Sequence, residues 1–256
     1  MNPNTEPRKW DASTYDRVSD IQAEWSREVI DRLDLRGDET VLDAGCGSGR
    51  VTKLLLERLP RGRVIGVDSS AAMVQKAREE LPETTELIVS DLLDLELSEA
   101  VDAVFSNATF HWILDHRRLF ERLYAALRHW GRLEAQCGGI GNLDEFLNSL
   151  ENVNGDERFA PYVRGIASTW NFASPADTEL RLRAAGFADE HCWLEERVEK
   201  PREPREFLRT VCLGGHLERL PEHLHQPYLD AVLEYIPRPL TLDYMRLNIS
   251  ARKPGG

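Results

Sequence analysis

The chain has 256 residues and a formal net charge of -12, with 41% hydrophobic and 30% charged side chains. That length suffices to bury a full core in a single domain spanning residues 1–256, and the acidic balance argues against nucleic acid or an anionic membrane surface as partner. No apolar run approaches the roughly 20 residues needed to cross a bilayer, and the stretch Met1 to Lys9 is polar, without the apolar centre of a signal peptide, so the expected location is cytoplasmic.

The first patterned stretch is Trp10 to Tyr15, followed by apolar positions at helical spacing through Gln22, Trp25, Val29, Ile30 and Leu33. It reads either as a helix covering one edge of a sheet or as a segment folding over a ligand. Thr40 to Ala44 reads as the first strand, with a helix over Arg50 to Leu59. Arg63 to Asp68 is a second strand, and Ser69 and Ser70 offer an N-cap to a helix reaching Leu81. Glu86 to Asp91 is a third strand and Val101 to Asn107 a fourth. A helix over Leu119 to Arg128 precedes a fifth strand, Arg132 to Cys137, with His129-Trp130-Gly131 as a turn between them. Beyond Cys137 come a helix at Leu143 to Leu150, an irregular stretch from Asn152 to Trp170, and a helix over Pro175 to Ala185 stopped by Gly186. His191 to Val198 alternates as a sixth strand. Helical stretches at Arg205 to Leu217 and Pro221 to Tyr235 lead to a seventh strand, Leu240 to Ala251.

Strands alternating with helices predict an α/β fold, a doubly wound, mostly parallel sheet of the Rossmann-like kind. Ligands of such sheets bind beyond the carboxyl ends of the strands. Asp43, Asp68, Asp91 and Asn107 stand at four of those ends and are expected to converge there. Segments 142–172 and 201–238, inserted after strands five and six, are expected to form a helical cap over that edge.

The stretch Asp43-Ala44-Gly45-Cys46-Gly47-Ser48-Gly49 is a glycine turn between a strand and a helix, where backbone can approach a ligand closely. Its Gly-x-Gly-x-Gly spacing is one residue short of the dinucleotide fingerprint, and Arg50-Val51 does not complete a phosphate loop. A carboxylate at Asp43 repels a pyrophosphate and suits an ammonium group. S-adenosylmethionine has such a group and no phosphate. Asp68 then suits its ribose diol, and Asp91 its adenine amino group.

Together, Val41 to Gly49, Gly66-Val-Asp-Ser-Ser70 with Met73, and Ser90-Asp91-Leu92 resemble the first three motifs of class I S-adenosylmethionine-dependent methyltransferases. Trp10 to Tyr15, Phe105 to His116, Ala135 to Asn142 and Leu242 to Asn248 are similar to the trans-aconitate methyltransferases and related small-molecule carboxyl methyltransferases within that class. The resemblance implies a seven-stranded sheet, S-adenosylmethionine as methyl donor and S-adenosylhomocysteine as product. By motif, Asp43, Ala44, Gly45, Cys46, Gly47 and Gly49 would hold the methionine part, Asp68, Ser69 and Met73 would flank ribose and adenine, and Asp91 with Leu92 would fix adenine. Asn107 and Ala108 would lie beside the methionine part. Tyr15, Gln22 and Trp25 match the segment that closes over the cofactor. One departure is His129-Trp130-Gly131, where the family usually has Pro-Gly-Gly.

An ionised carboxylate acceptor needs no general base, whereas a phenol or amine often does. No Asn-Pro-Pro-Tyr type motif follows strand four, which weakens methylation of an amine or a base. His111 and Trp112, just past that strand, are the candidates nearest the reacting methyl; the alternatives are a core or capping histidine and a core tryptophan. Gln136, Gly138, Gly139 and Asn142 are candidates for a substrate wall or, equally, a glycine turn. An acid substrate calls for cations, and Arg164, Arg181, Arg205, Arg238 and Arg246 are available. Trp170, Phe172, Trp193 and Tyr244 could line a pocket or simply pack. His216, His223 and His225 read as solvated helix residues. The four cysteines, Cys46, Cys137, Cys192 and Cys212, lack C-x-x-C spacing; they read as buried apolar residues, and no metal is expected. The expected reaction is methyl transfer to a small-molecule acceptor, a carboxylate first. The rivals are a hydroxyl of a lipid or secondary metabolite with His111 as base, and a non-catalytic cofactor-binding protein. An apolar cavity under the two insertions would favour an enzyme, and a filled one a binder. A nicotinamide dehydrogenase is disfavoured by the glycine spacing. Oligomeric state is left open.

Overall fold

The computed structural model describes residues 20–164, 170–236 and 239–255, with side chains from Trp25 onward. Its strands are β1 (Thr40–Ala44), β2 (Arg63–Asp68), β3 (Glu86–Val89), β4 (Val101–Asn107), β5 (Leu127–Gly138), β6 (Ala188–Glu199) and β7 (Leu242–Arg252). They form one seven-stranded sheet in the order β3-β2-β1-β4-β5-β7-β6. β7 is antiparallel to both β5 and β6, and the remaining pairs are parallel. Strands β1 to β6 therefore finish at one edge, and β7 begins there.

The helices are α1 (Asp20–Arg32), α2 (Arg50–Glu57), α3 (Ala71–Glu80), α4 (His116–Ala126), α5 (Asp144–Asn154), α6 (Ala160–Val163), α7 (Pro175–Ala185), α8 (Pro204–Phe207), α9 (Gly214–Leu217) and α10 (Glu222–Tyr235). Local chemistry explains several of their ends. The Met73 N–H donates to Ser70 Oγ at 3.3 Å, which caps α3. At α7, Ser174 caps the Asp177 N–H, Pro175 occupies the first turn, and Gly186 at φ 105° closes the helix.

Alternation along the strands sends side chains to two layers. Val41, Ala103 and Phe105 pack with Val29, Ile30 and Leu33 of α1 and with Leu55 of α2. Leu42, Ala44 and Val104 pack on the opposite face with Leu119, Phe120 and Leu123 of α4 and Leu182 of α7. A further core joins α5, α6, α8, α9 and α10 through Phe146, Leu150, Val163, Phe207, Leu217, Tyr228 and Leu229, and includes Trp25 and Tyr244. α1 is thus shared: its last turns pack on the sheet while Trp25 reaches the helical core.

Four local expectations change. β3 stops at Val89, and Asp91 instead caps a short 3-10 turn by accepting the Leu93 N–H at 2.9 Å. The expected turn at 129–131 lies within β5, where the pairing with β4 bulges. There Trp130 takes φ 66°, and Lys253 supplies backbone partners to Trp130 and Gly131. The stretch read as irregular from Asn152 onward contains the end of α5 and all of α6. The helix read from Arg205 to Leu217 is broken into α8, a π turn at Leu208–Cys212, and α9, where Gly214 and Gly215 weaken helical continuity. Among the described residues, no helix is long and apolar enough to cross a membrane.

Candidate active site

The glycine turn after β1 takes left-handed backbone at three positions: Gly45 at φ 88°, Gly47 at 54° and Gly49 at 86°. Any other residue would be strained there. At Gly45 a side chain would also collide, because a Cβ would lie 2.1 Å from Thr109 Oγ1. At Gly47 a Cβ would meet nothing within 4 Å, so the space over that peptide is open to a ligand. Asp68 ties the turn to β2: one carboxylate oxygen accepts the Gly47 N–H at 3.0 Å and the other the Ser70 N–H at 2.8 Å. Burial raises its pKa, and these two N–H groups counter the shift.

Asp43 is only 1% exposed, and its carboxylate accepts a hydrogen bond from Thr52 Oγ1 at 2.7 Å. Burial, only partly offset by Thr52 and reinforced by the charge of Asp68, raises its pKa to about 7. A buried carboxylate in that state favours a nearby cation and disfavours a phosphate. The loop thus has the features a sulfonium and ammonium-bearing methyl donor requires: an open backbone approach and carboxylates rather than cations.

The expected cofactor residues are not all placed alike. Asp43, Asp68 and the three glycines gather at the turn. Cys46 is buried, and its Sγ lies 3.8 Å from the Gly47 carbonyl oxygen. Ala44 and Leu92 lie in the apolar core under the sheet edge. Met73 is buried, Ser69 is exposed, and Asp91 is exposed at its 3-10 cap. Asn107 is half-buried at the end of β4. Tyr15 lies outside the described residues, and Gln22 is on α1 but outside those with described side chains. Trp25 packs edge-on to Tyr244, with ring centroids 5.4 Å apart.

Ala108 links the glycine turn to a second feature. Its φ of 57° is strained for a residue with a side chain, and its N–H donates to the Gln136 carbonyl at 2.8 Å. Its neighbour Thr109 touches Gly45, while Ala108 itself lines a small open cleft. That cleft is walled by His111, Trp112, Trp170 and Phe172, floored by Tyr244 and Arg246, and bordered by Asn142, Leu143, Val211 and Cys212. The rings support one another. Trp170 stacks on Phe172 at 5.5 Å, and Trp112 meets Trp170 edge-on at 5.6 Å. Asn171 pins this wall to the loop after β4, donating its N–H to the His111 carbonyl and its side-chain amide to the Leu114 carbonyl.

Arg246 is 2% exposed. It stands opposite Gly138 of β5 and Glu195 of β6. Its Nε donates to Gln136 Oε1 at 3.3 Å, and its guanidinium sits 5.0 Å from the Trp25 ring centroid. Gln136 in turn donates to Asn248 Oδ1 at 2.9 Å. Gln136 is therefore behind Arg246, where it orients the cation, and is not part of the cleft lining. Glu195 accepts from Asn248 at 3.5 Å and pairs with Arg197.

The Gly138 N–H donates to His111 Nδ1 at 3.2 Å. A ring nitrogen that accepts has no proton, so the neutral ring carries its proton on Nε2. Desolvation, with the charges of Arg246 and His116, lowers the His111 pKa to about 3. Part of the ring is open to the cleft, yet the cation below it and the apolar walls keep it neutral at ordinary pH. Asn142 uses Oδ1 to accept the Met245 N–H at 3.0 Å. Gly138 and Gly139 leave no room for a side chain: a Cβ would fall 2.8 Å from Phe172 or 2.6 Å from Leu194.

Of the other candidate arginines, Arg164 is exposed, Arg181 lies near His116, and Arg205 pairs with Asp230. Arg238 lies outside the described residues. Trp193 stacks on His191 and under Arg32, away from the cleft. His216 stacks on Tyr228, and His225 Nε2 contacts the Leu220 carbonyl, so neither is simply solvated. All four cysteines are buried and free. Thr52, Thr109, Leu143, Val211 and Cys212 were not singled out from the sequence. Thr109 carried a signal in its place just past the end of β4; Val211 and Cys212 reach the cleft from a distant insertion and carried none.

A methyltransferase-domain family profile matches residues 41–131. The chain is 36% identical over 231 residues to a trans-aconitate 2-methyltransferase of Rhizobium etli, covering 90% of each chain. It is 32% identical over 231 residues to another of that name from Azoarcus, covering 87% of each. Among solved structures, phosphoethanolamine N-methyltransferase 2 of Haemonchus contortus in complex with S-adenosyl-L-methionine shares the fold, with a TM-score of 0.61 at 20% identity over 95% of this chain and 56% of that one.

Proposed function

The chain belongs to the class I S-adenosylmethionine-dependent methyltransferases, and we propose that it methylates the carboxylate of a small molecule held in the aromatic cleft. The observation that carries this reading is Arg246, a buried cation on the floor of a cleft that abuts the glycine turn. A guanidinium can hold one carboxylate through two hydrogen bonds. Helices from segments 142–172 and 201–238 form the cap, and side chains of both segments, Leu143 and Phe172 with Val211 and Cys212, line the cleft beneath them.

S-adenosylmethionine, when bound, supplies a methyl carbon already activated on a sulfonium. The glycine turn and Asp43 hold the methionine part, with Asn107 and Ala108 beside it. Asp68 and Ser69 serve the ribose, Asp91 the adenine, and Met73 and Leu92 support that side from the core. Arg246 orients the acid, and Trp112, Trp170 and Phe172 exclude water. One carboxylate oxygen takes the methyl in line while the carbon–sulfur electron pair stays on sulfur. The products are a methyl ester and S-adenosylhomocysteine, and no proton moves.

His111 argues against the hydroxyl reading. A general base must offer an unprotonated nitrogen to the acceptor. Here Nδ1 is occupied by Gly138, and the other nitrogen carries the proton. His111 is therefore a donor to a carboxylate oxygen. The relatives' name makes a small acid the first acceptor class to test. Incubation with methyl-labelled cofactor and a panel of acids and phenols distinguishes the readings, because a methyl ester is cleaved by mild alkali and a methyl ether is not. Alkali-stable label on the phenols alone would overturn the proposal.

A further inference from the structure

The carboxylate at the head of the donor site is held by a residue of the helix that follows the turn. Asp43 is 1% exposed at the end of β1, and Thr52 of α2, which donates its hydroxyl to Asp43 Oδ2 at 2.7 Å, is 0% exposed. Branching at Cβ restricts the Thr52 rotamers, so the hydroxyl is held in place at little entropic cost. In the sheet Asp43 is flanked by Gly66 of β2 and Phe105 of β4, which bring no charge. The titratable groups that face it are Asp68 of β2, itself an acid, and the Cys46 thiol, which burial and the two carboxylates hold protonated. A buried carboxylate ordinarily stands beside a cation. Here its hydrogen-bond donor is a neutral hydroxyl.

We propose that Thr52 is a positioning residue for the methyl donor: its buried hydroxyl keeps the Asp43 carboxylate as the anion that receives the donor's ammonium group. The inference rests on the reading of Asp43 as the ammonium's partner. A hydroxyl that donates favours the ionised carboxylate over the protonated acid. The donor needs that anion, because a protonated acid offers the ammonium only a neutral carbonyl, whereas a carboxylate offers a full charge in a desolvated turn. Without the hydroxyl, burial and the charge of Asp68 act unopposed, and both favour the protonated acid. Binding must then expel a proton that is held more tightly, a cost that falls as pH rises.

The test is calorimetric titration of the full chain with S-adenosylmethionine at pH 6 and pH 8, with a melting curve to show that each variant folds. Thr52→Val and Thr52→Ala remove the hydroxyl with and without filling its space, and Thr52→Ser keeps it. Each affinity is taken as a ratio to the parent at the same pH, so titration of the cofactor itself cancels. Removal is expected to weaken binding by at least ~10-fold at pH 6, the scale of a hydrogen bond to a charged group, and the loss should be at least ~3-fold smaller at pH 8. Thr52→Ser should stay within ~3-fold of the parent at both. In an Asp43→Asn background, Thr52→Val should change affinity by less than ~3-fold, because no charge remains for the hydroxyl to hold. Parent-like affinity without the hydroxyl, an equal loss at both pH values, or an undiminished loss in the Asp43→Asn background overturns the role of Thr52 and leaves Asp43 as the ammonium's partner. Failure of both Thr52→Val and Thr52→Ala to fold makes the residue structural and overturns it too. Unchanged affinity in Asp43→Asn alone overturns the reading of Asp43 as well.

Discussion

Replacing Arg246 by methionine separates the acceptor site from the donor site. Methionine keeps much of the length and removes the charge. The guanidinium is buried, is oriented by Gln136 and lies over Trp25. Leaving a buried carboxylate without its cation costs about 3–5 kcal/mol. At ~1.4 kcal/mol per decade, kcat/KM for an acid substrate should fall by at least ~100-fold. The carboxylate loses charge as it takes the methyl, so Arg246 holds the ground state at least as strongly as the transition state. The loss should therefore fall mainly on KM. Gln136 Oε1 loses a donor, an effect of about 1–3 kcal/mol that relief of a buried charge partly offsets. Removing the positive charge also raises the His111 pKa from about 3, though burial, its main cause, keeps it low. Initial rates, a melting curve and calorimetric titration with S-adenosylmethionine form the assay. Folding and cofactor affinity should be retained. A variant that folds, binds cofactor normally and keeps kcat/KM for acids within ~3-fold of the parent would refute the assignment. Arg246→Lys should recover only part of the loss, because an ammonium lacks the planar fork.

Gly45→Ala and Gly47→Ala should differ in kind. The first meets Thr109 at 2.1 Å and should destabilise the fold, while the second meets nothing and should fold, at about 1 kcal/mol of backbone strain, with markedly weaker cofactor binding; equal melting temperatures for the two would contradict the geometry. The folded pKa of Asp43, about 7, lies above its ordinary 3.8, so the folded state holds a proton that the unfolded chain has released. Its contribution, about 4 kcal/mol, is present below pH 3.8 and is lost as pH rises through 7. A bound cation reverses the preference, so cofactor binding at pH 6 should release close to one proton and strengthen as pH rises, as titration in buffers of different ionisation enthalpy will show; no release in the parent, or equal release by Asp43→Asn, would count against it. For His111 the sign is opposite: its folded pKa of about 3 lies below 6.5, so stability present above pH 6.5 is lost as pH falls toward 3. It should give no limb in the pH dependence of kcat/KM between about pH 5 and 8, and a limb that disappears in His111→Asn would make it a base after all.

The donor half of the site was legible because it is local. Asp43, Gly45, Gly47 and Gly49 share one turn, and a tight turn under a ligand restricts which residues its backbone angles allow. Asp68 is likewise set by one strand end, though its use of both oxygens to tie Gly47 and Ser70 is visible only in the fold. The acceptor half was read unevenly. His111 and Trp112 were within reach of the sequence because they follow β4 directly. Trp25, matched from the sequence to the segment closing over the cofactor, lies against Arg246 and Tyr244, a placement set by which core its helix enters. Gln136 was expected in the substrate wall and lies behind the cation.

The residue order by itself determined the alternation of strands and helices, the glycine turn and the carboxylates at the strand ends, and with them the class of methyl donor. These are properties of neighbours in the chain, governed by backbone angles and by periods of two and 3.6 residues. Tertiary structure alone decided that Arg246 stands over the Trp25 ring and across from Gly138, that Val211 and Cys212 reach the same cleft as Ala108, and that Gly138 holds the His111 ring as a donor. Those contacts join residues more than a hundred positions apart, or turn on one backbone N–H. They depend on β7 entering antiparallel between β5 and β6, a pairing that sequence periodicity does not specify because alternation marks a strand and not its neighbours.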